Sequence, residues 1–125
     1  MGNRSNIVVK DKYSKVYFYG HDMGLSYIPI LRAALLRGSE RYNDAAYLGR
    51  IVFCEMVKGR EADTLGFGIS SRLTDNEQPL LIVDCDKQEV RLTTEKGKCI
   101  AKMGIGAFCK SPQFLEACTG HCNNK

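Results

Sequence analysis

The chain has no long apolar run. Its uncharged apolar runs, such as Ile28 to Leu31 and Leu80 to Val83, fall far short of the ~20 residues a membrane span needs. Histidine is scarce as well: only His21 and His121 are present. A Ser or Cys nucleophile would therefore have few bases to pair with. The segment Tyr19-Gly20-His21-Asp22-Met23-Gly24 lacks the GK[ST] ending of a phosphate loop, and Gly104-Ile105-Gly106 lacks the third glycine of a dinucleotide fingerprint. No cofactor is expected, and the case for an enzyme is thin. There is also no stripe of Lys and Arg interleaved with aromatics. The 18 basic and 14 acidic residues are scattered and leave a net charge of only +4, so long nucleic acid is not an expected partner. A small anion held by a few arginines is compatible with that balance. The opening MGNRSN shows no apolar h-region, and Asn6 stands where myristoylation needs Ser or Thr. The expectation is a cytoplasmic protein, outside any membrane, with its cysteines reduced.

At 125 residues the chain has the size of one domain, with 44% hydrophobic and 26% charged residues as in ordinary globular proteins. Cys109, Cys118, His121 and Cys122 are zinc-type ligands, but the paired knuckle spacing is missing and adjacent His121 and Cys122 reach one tetrahedral ion poorly. A Cys-rich polar tail from about 109, without metal, is the expectation.

Residues 6 to 10 and 14 to 20 are β-branched or aromatic and flank DKYS, which predicts a hairpin. From Leu25 to about Arg41 the apolar spacing becomes helical, with Ile28, Leu31 and Leu35 on one stripe and a start near Ser26 that suits Pro29. Asn43-Asp44 caps a second helix, AAYLGRIVFCEMVKG, ending at Gly59. Gly49 on its apolar stripe costs about 1 kcal/mol against alanine, which implies a close helix contact in return. Strands are predicted at about 66 to 72, 79 to 85, 88 to 93 and 98 to 103, and a short helix over PQFLEAC capped by Ser111. The order β-β-α-α-β-β-β-β predicts an α+β fold, an antiparallel sheet with two central helices on one face.

The most informative stretch is GFGISSRLTDNEQPLLIVD, Gly66 to Asp84. LLIV reads as a buried strand. Phe67 lies between two glycines, Gly66 and Gly68, which leaves open space around its ring for a flat ligand. The polar group Thr74-Asp75-Asn76-Glu77 crowds the turn before the strand. His21, Met23 and Gly24 lie between a strand and a helix N-terminus, where amide N–H groups and the helix dipole favour an anion; the alternative is that Asp22 simply caps the helix. Arg41-Tyr42-Asn43-Asp44 offers a guanidinium fork, a stacking face and an adenine-matching amide, or no more than a capped turn. Asp75 and Glu77 suggest paired carboxylates, although such loop acids are usually solvated. Asp84 and Asp86 share a face, and Cys85 between them turns to the buried side, where a thiol is inert.

The blocks YGHDMG, RYNDAAYLGRIVF and GFGISSRLTDNEQPLLIVDCD together resemble the first Thoeris anti-defence family, small phage proteins that act as sponges for a nucleotide immune signal. The similarity covers roughly residues 5 to 92. It implies an α+β homodimer or higher oligomer in the cytoplasm of an infected bacterium. It also implies binding, without cleavage, of glyco-cyclic ADP-ribose made by TIR enzymes, and in some members of cyclic oligonucleotides at separate interfaces. Set beside the residues above, the resemblance implies that Phe67 stacks on the adenine beside Gly68 and that Arg41 or Arg91 clamps the pyrophosphate. Asn76 and Ser70 would read base or ribose edges, His21 with Met23 would close one wall, and Gly24 and Asn43 complete the ligand-binding set. A small nucleotide hydrolase using His21 with Asp22 or Glu77, and an interaction inhibitor acting through the helix pair, are the competing readings.

Overall fold

The computed structural model describes residues 3–110. Strands β1 (Ser5–Lys10) and β2 (Lys15–Gly20) form the expected hairpin, and a single 3-10 turn, Gly24–Ser26, leads into α1 (Tyr27–Arg37) and α2 (Ala45–Met56). The chain continues through β3 (Phe67–Ser70), β4 (Leu80–Asp84), β5 (Glu89–Thr93), β6 (Cys99–Gly104) and a short α3 (Ile105–Lys110). The predicted PQFLEAC helix, its Ser111 cap, and Cys118, His121 and Cys122 lie outside the described residues.

The fold is α+β, with six strands in the order β3-β2-β1-β4-β5-β6. Four of the strand pairings are antiparallel, as expected, but the central β1–β4 pair is parallel, with Ile7 opposite Leu81 and Val9 opposite Val83. The helical segment separates these two strands, and such a long crossover lets β4 run in the direction of β1. The central position of β4 accounts for LLIV, whose Leu81 and Val83 are fully buried.

Period-two alternation puts Ile7, Val9, Phe18, Leu81, Val83, Val90 and Leu92 on one face, where they form a single core with Tyr27, Ile28, Leu31 and Leu35 of α1 and with Leu48 and Val52 of α2. Ile105 and Phe108 of α3 join that core, so three helices share the face where two were expected. Tyr27 Oη donates to the Pro79 carbonyl at 2.8 Å and ties α1 to the start of β4. Gly49 has its reason in a strand rather than in a second helix, because a Cβ there would sit 3.3 Å from Phe18 Cζ on β2. The Phe18 ring also lies 5.5 Å from that of Phe53.

Asp44 is extended (φ −125°), and its carboxylate accepts the Tyr47 N–H at 3.2 Å, as the sequence predicts for a cap. Replacing Asp44 with alanine is expected to cost about 1 kcal/mol of stability. A urea midpoint that falls with an unchanged slope checks this.

Candidate functional site

Where β2 gives way to α1, the chain is held by contacts only small residues permit. A Cβ on Gly20 would lie 2.7 Å from Met23 Cβ, so the Met23 side chain rests directly on that backbone. Gly24 has φ +51°, a left-handed conformation that favours glycine. Its N–H donates to the Asn3 carbonyl at 2.8 Å, and its carbonyl accepts from Ser5 Oγ at 2.9 Å. The His21 N–H donates to the Gly66 carbonyl at 2.9 Å, which draws the loop against the start of β3. Gly66, at φ +101°, turns the chain into that strand.

These constraints enclose a cavity of about 160 Å³ between the β2–α1 loop, the end of α2 and the edge strand β3. Met23, Ile30, Met56 and Phe67 supply its apolar surface, and Asp22, Ser26 and Arg60 its polar rim. The Arg60 guanidinium lies 5.2 Å from the Phe67 ring centroid, a cation–π arrangement, while its Nε donates to Asp63 Oδ2 at 2.8 Å. Ser26 is the N-cap residue of α1, and the first turn of that helix carries no acidic side chain. The positive end of its dipole therefore meets the cavity with Asp22, four residues before the N-cap, as the one carboxylate on the rim. Thioether and aryl walls suit a flat ring, and a guanidinium with a helix N-terminus suits an anion.

The sequence-predicted residues fall into three places. Met23 and Phe67 line the cavity, while Gly24 and His21 shape the loop above it. His21 Nδ1 is engaged with Tyr19 Oη at 2.9 Å. Arg41 and Asn43 are exposed in the α1–α2 connection, where the Arg41 guanidinium lies 4.8 Å from the Tyr47 ring centroid. Gly68, Ser70 and Arg91 lie on the face of the sheet turned away from the helices, because their neighbours Ile69, Val90 and Leu92 pair in register with core residues. Ser70 Oγ accepts the Arg72 N–H, and Arg91 is bonded to Asp84 and Glu89. Phe67 and Arg91 thus occupy opposite faces and do not share a site within one protomer. The Asn76 amide is committed to Asn6, Gln78 and Glu95.

Glu77 Oε1 accepts the Arg4 N–H at 2.8 Å, and Asp75 Oδ2 lies 3.1 Å from Arg4 Nε. The two carboxylates of the candidate acid–base pair are therefore held by one arginine. Burial pushes the Cys85 thiol up to about 11, so it is protonated at neutral pH. Burial also raises the Tyr19 phenol, and the nearby Asp75 carboxylate adds to the effect. Among the described residues no group of three His, Cys, Asp or Glu side chains is placed to hold a metal ion.

The chain matches no family model, no curated protein and no solved structure in the comparisons made.

Three cavity residues escaped the sequence reading: Ile30, Met56 and Arg60. Met56 reads as part of the α2 apolar stripe, and Ile30 falls off the α1 stripe of Ile28, Leu31 and Leu35. Arg60 stands in KGREADTL, which reads as a solvated loop. The signal for it is Gly59, whose φ of +81° reverses the chain after α2 and carries Arg60 back over Phe67.

Proposed function

We propose that the protein is a non-catalytic sponge that binds and holds a cyclic nucleotide of the cyclic ADP-ribose type, an immune signal, and so blocks host defence during phage infection. The observation that carries this reading is the Phe67–Arg60 pair at the cavity mouth. A base can stack on the Phe67 ring, while Arg60 and the N-terminus of α1 receive the pyrophosphate. Met23 and Met56 give a soft apolar floor to the same ring system.

The cavity volume, about 160 Å³, is below the ~300–1,000 Å³ that small-molecule pockets enclose. One protomer offers room for a base or a ribose, and a second copy completes the site. The edge strand β3 borders the cavity, and Ile69 on it and Leu65 just before it are 59% and 82% exposed. An exposed apolar edge invites pairing with another chain. Closure by a second copy also excludes water and slows release, which a sponge requires.

The candidate general bases are themselves hydrogen-bonded within the fold. His21 is held by Tyr19, and Glu77 by Arg4. The test is depletion of the signal as a function of protein concentration. A sponge removes a fixed amount per protomer and then stops. Continued loss with trace protein would establish a hydrolase in its place.

A further inference from the structure

The face of the sheet opposite the helices carries a charge pattern that the nucleotide site does not use. Lys10 stands directly opposite Lys15 on the β1–β2 ladder, and Arg91 directly opposite Lys102 on β5–β6. Like charges facing one another across strands are destabilising. Two such pairs concentrate positive charge on one face, and the carboxylates there, Asp84 and Glu89, offset it only in part. Together with Lys87, these four side chains line a shallow groove of about 390 Å³ floored by Ile82.

One buried carboxylate organises the groove. Asp84 is only 3% exposed and accepts the amide N–H groups of Asp86 and Lys87. Its other oxygen lies 3.1 Å from Arg91 Nη1 and 3.5 Å from Lys10 Nζ. Arg91 Nη1 also donates to Glu89 at 3.0 Å. Asp84 and Glu89 thereby fix Lys10 and Arg91 in place, and the five basic groups still exceed the two carboxylates by three. Among the described residues, Lys15, Lys87 and Lys102 have no ion-pair partner.

The positive field is short. Toward the other end of the same face, Asn6 Nδ2 donates to the Asp75 carbonyl, so the loop carrying Asp75 and Glu77 packs there. With Arg4 between them, Asp75 and Glu77 still leave that end net negative, which opposes a phosphodiester backbone running the length of the sheet. A compact ligand with closely spaced charges matches the groove better than a polymer does.

We infer that this helix-free groove, built from Lys10, Lys15, Lys87, Arg91 and Lys102 around buried Asp84, is a second anion site that takes a short chain of two or three phosphoryl groups. It is independent of the Phe67 cavity, which lies on the other face. The probe is inorganic tripolyphosphate, titrated into the full chain by calorimetry at low salt, with inorganic phosphate and single-stranded oligonucleotides of increasing length alongside. Tripolyphosphate is expected to bind at least tenfold more tightly than phosphate. The double substitution Lys15→Ala/Lys102→Ala, both at exposed positions, is expected to weaken it at least tenfold. Lys58→Ala/Lys110→Ala removes the same charge elsewhere and is expected to change the affinity less than twofold. No binding of tripolyphosphate, or equal losses in the two double variants, would overturn the inference. So would an oligonucleotide that binds more tightly than tripolyphosphate with affinity rising with length, because the surface would then be a nucleic-acid face.

Discussion

Phe67→Ala is expected to weaken retention of the nucleotide by roughly 10- to 100-fold while the protein stays folded. Stacking of a base on an aromatic ring is worth about 1–3 kcal/mol, and each 1.4 kcal/mol is tenfold in affinity. The residue is only half-buried and begins an edge strand, so its loss removes little of the core. Phe67→Leu separates the two roles: it keeps most of the apolar volume but removes the flat face. If stacking carries the affinity, Leu and Ala behave alike in ligand release while Leu keeps wild-type thermal stability. Arg60→Ala is expected to follow with about a tenfold loss, since it removes both the cation over Phe67 and the pyrophosphate contact. Equilibrium dialysis with labelled nucleotide, beside circular dichroism of each variant, measures both quantities.

Asp84→Ala is expected to cost about 3 kcal/mol of stability. It leaves Arg91 and Lys10 facing like charges, and it strips two turn amides of their acceptor. The same geometry predicts a pH dependence. Burial alone would raise the Asp84 carboxyl, but the Lys87 amide, Lys10 and Arg91 outweigh it and hold the group below its ordinary value. A carboxyl lowered in the folded state stabilises fully above its unfolded pKa of about 3.9. That contribution disappears as pH falls through the folded value. Wild type is therefore expected to lose urea resistance below about pH 4 by an increment that Asp84→Asn lacks. Parallel acid limbs in the two proteins would show that Asp84 does not supply it.

Much of the architecture was legible locally. Alternation gave the β1–β2 hairpin and the four later strands, helical spacing gave α1 and α2, and Asp44 announced its cap. The parallel pairing of β1 with β4 was not legible, because no local signal says which two strands far apart in sequence become neighbours. The α3 helix was missed for a different reason. IGAFCK includes a glycine and follows another, so its propensity is weak, and the burial of Ile105 and Phe108 against the core decides its structure. Gly49 signals a close approach, but its partner is Phe18 on β2 and not the helix the sequence predicts.

The candidate site was legible in part. Phe67 and Met23 stand out by their flanking glycines and by the strand-to-helix loop, and both line one cavity. Arg60 was hidden because a polar loop gives no periodicity to read. Arg91 could have been assigned to the helix-free face from its neighbours alone, since Val90 and Leu92 must point inward. Arg41, exposed on Tyr47, reaches a nucleotide only if a second copy brings it there.

The most direct test of the sponge reading is mass spectrometry of what the heated protein releases after incubation with the product mixture of a TIR enzyme. The account predicts intact cyclic ADP-ribose at about one per protomer. Release of linear ADP-ribose would contradict binding without cleavage, and release of nothing would contradict nucleotide binding itself.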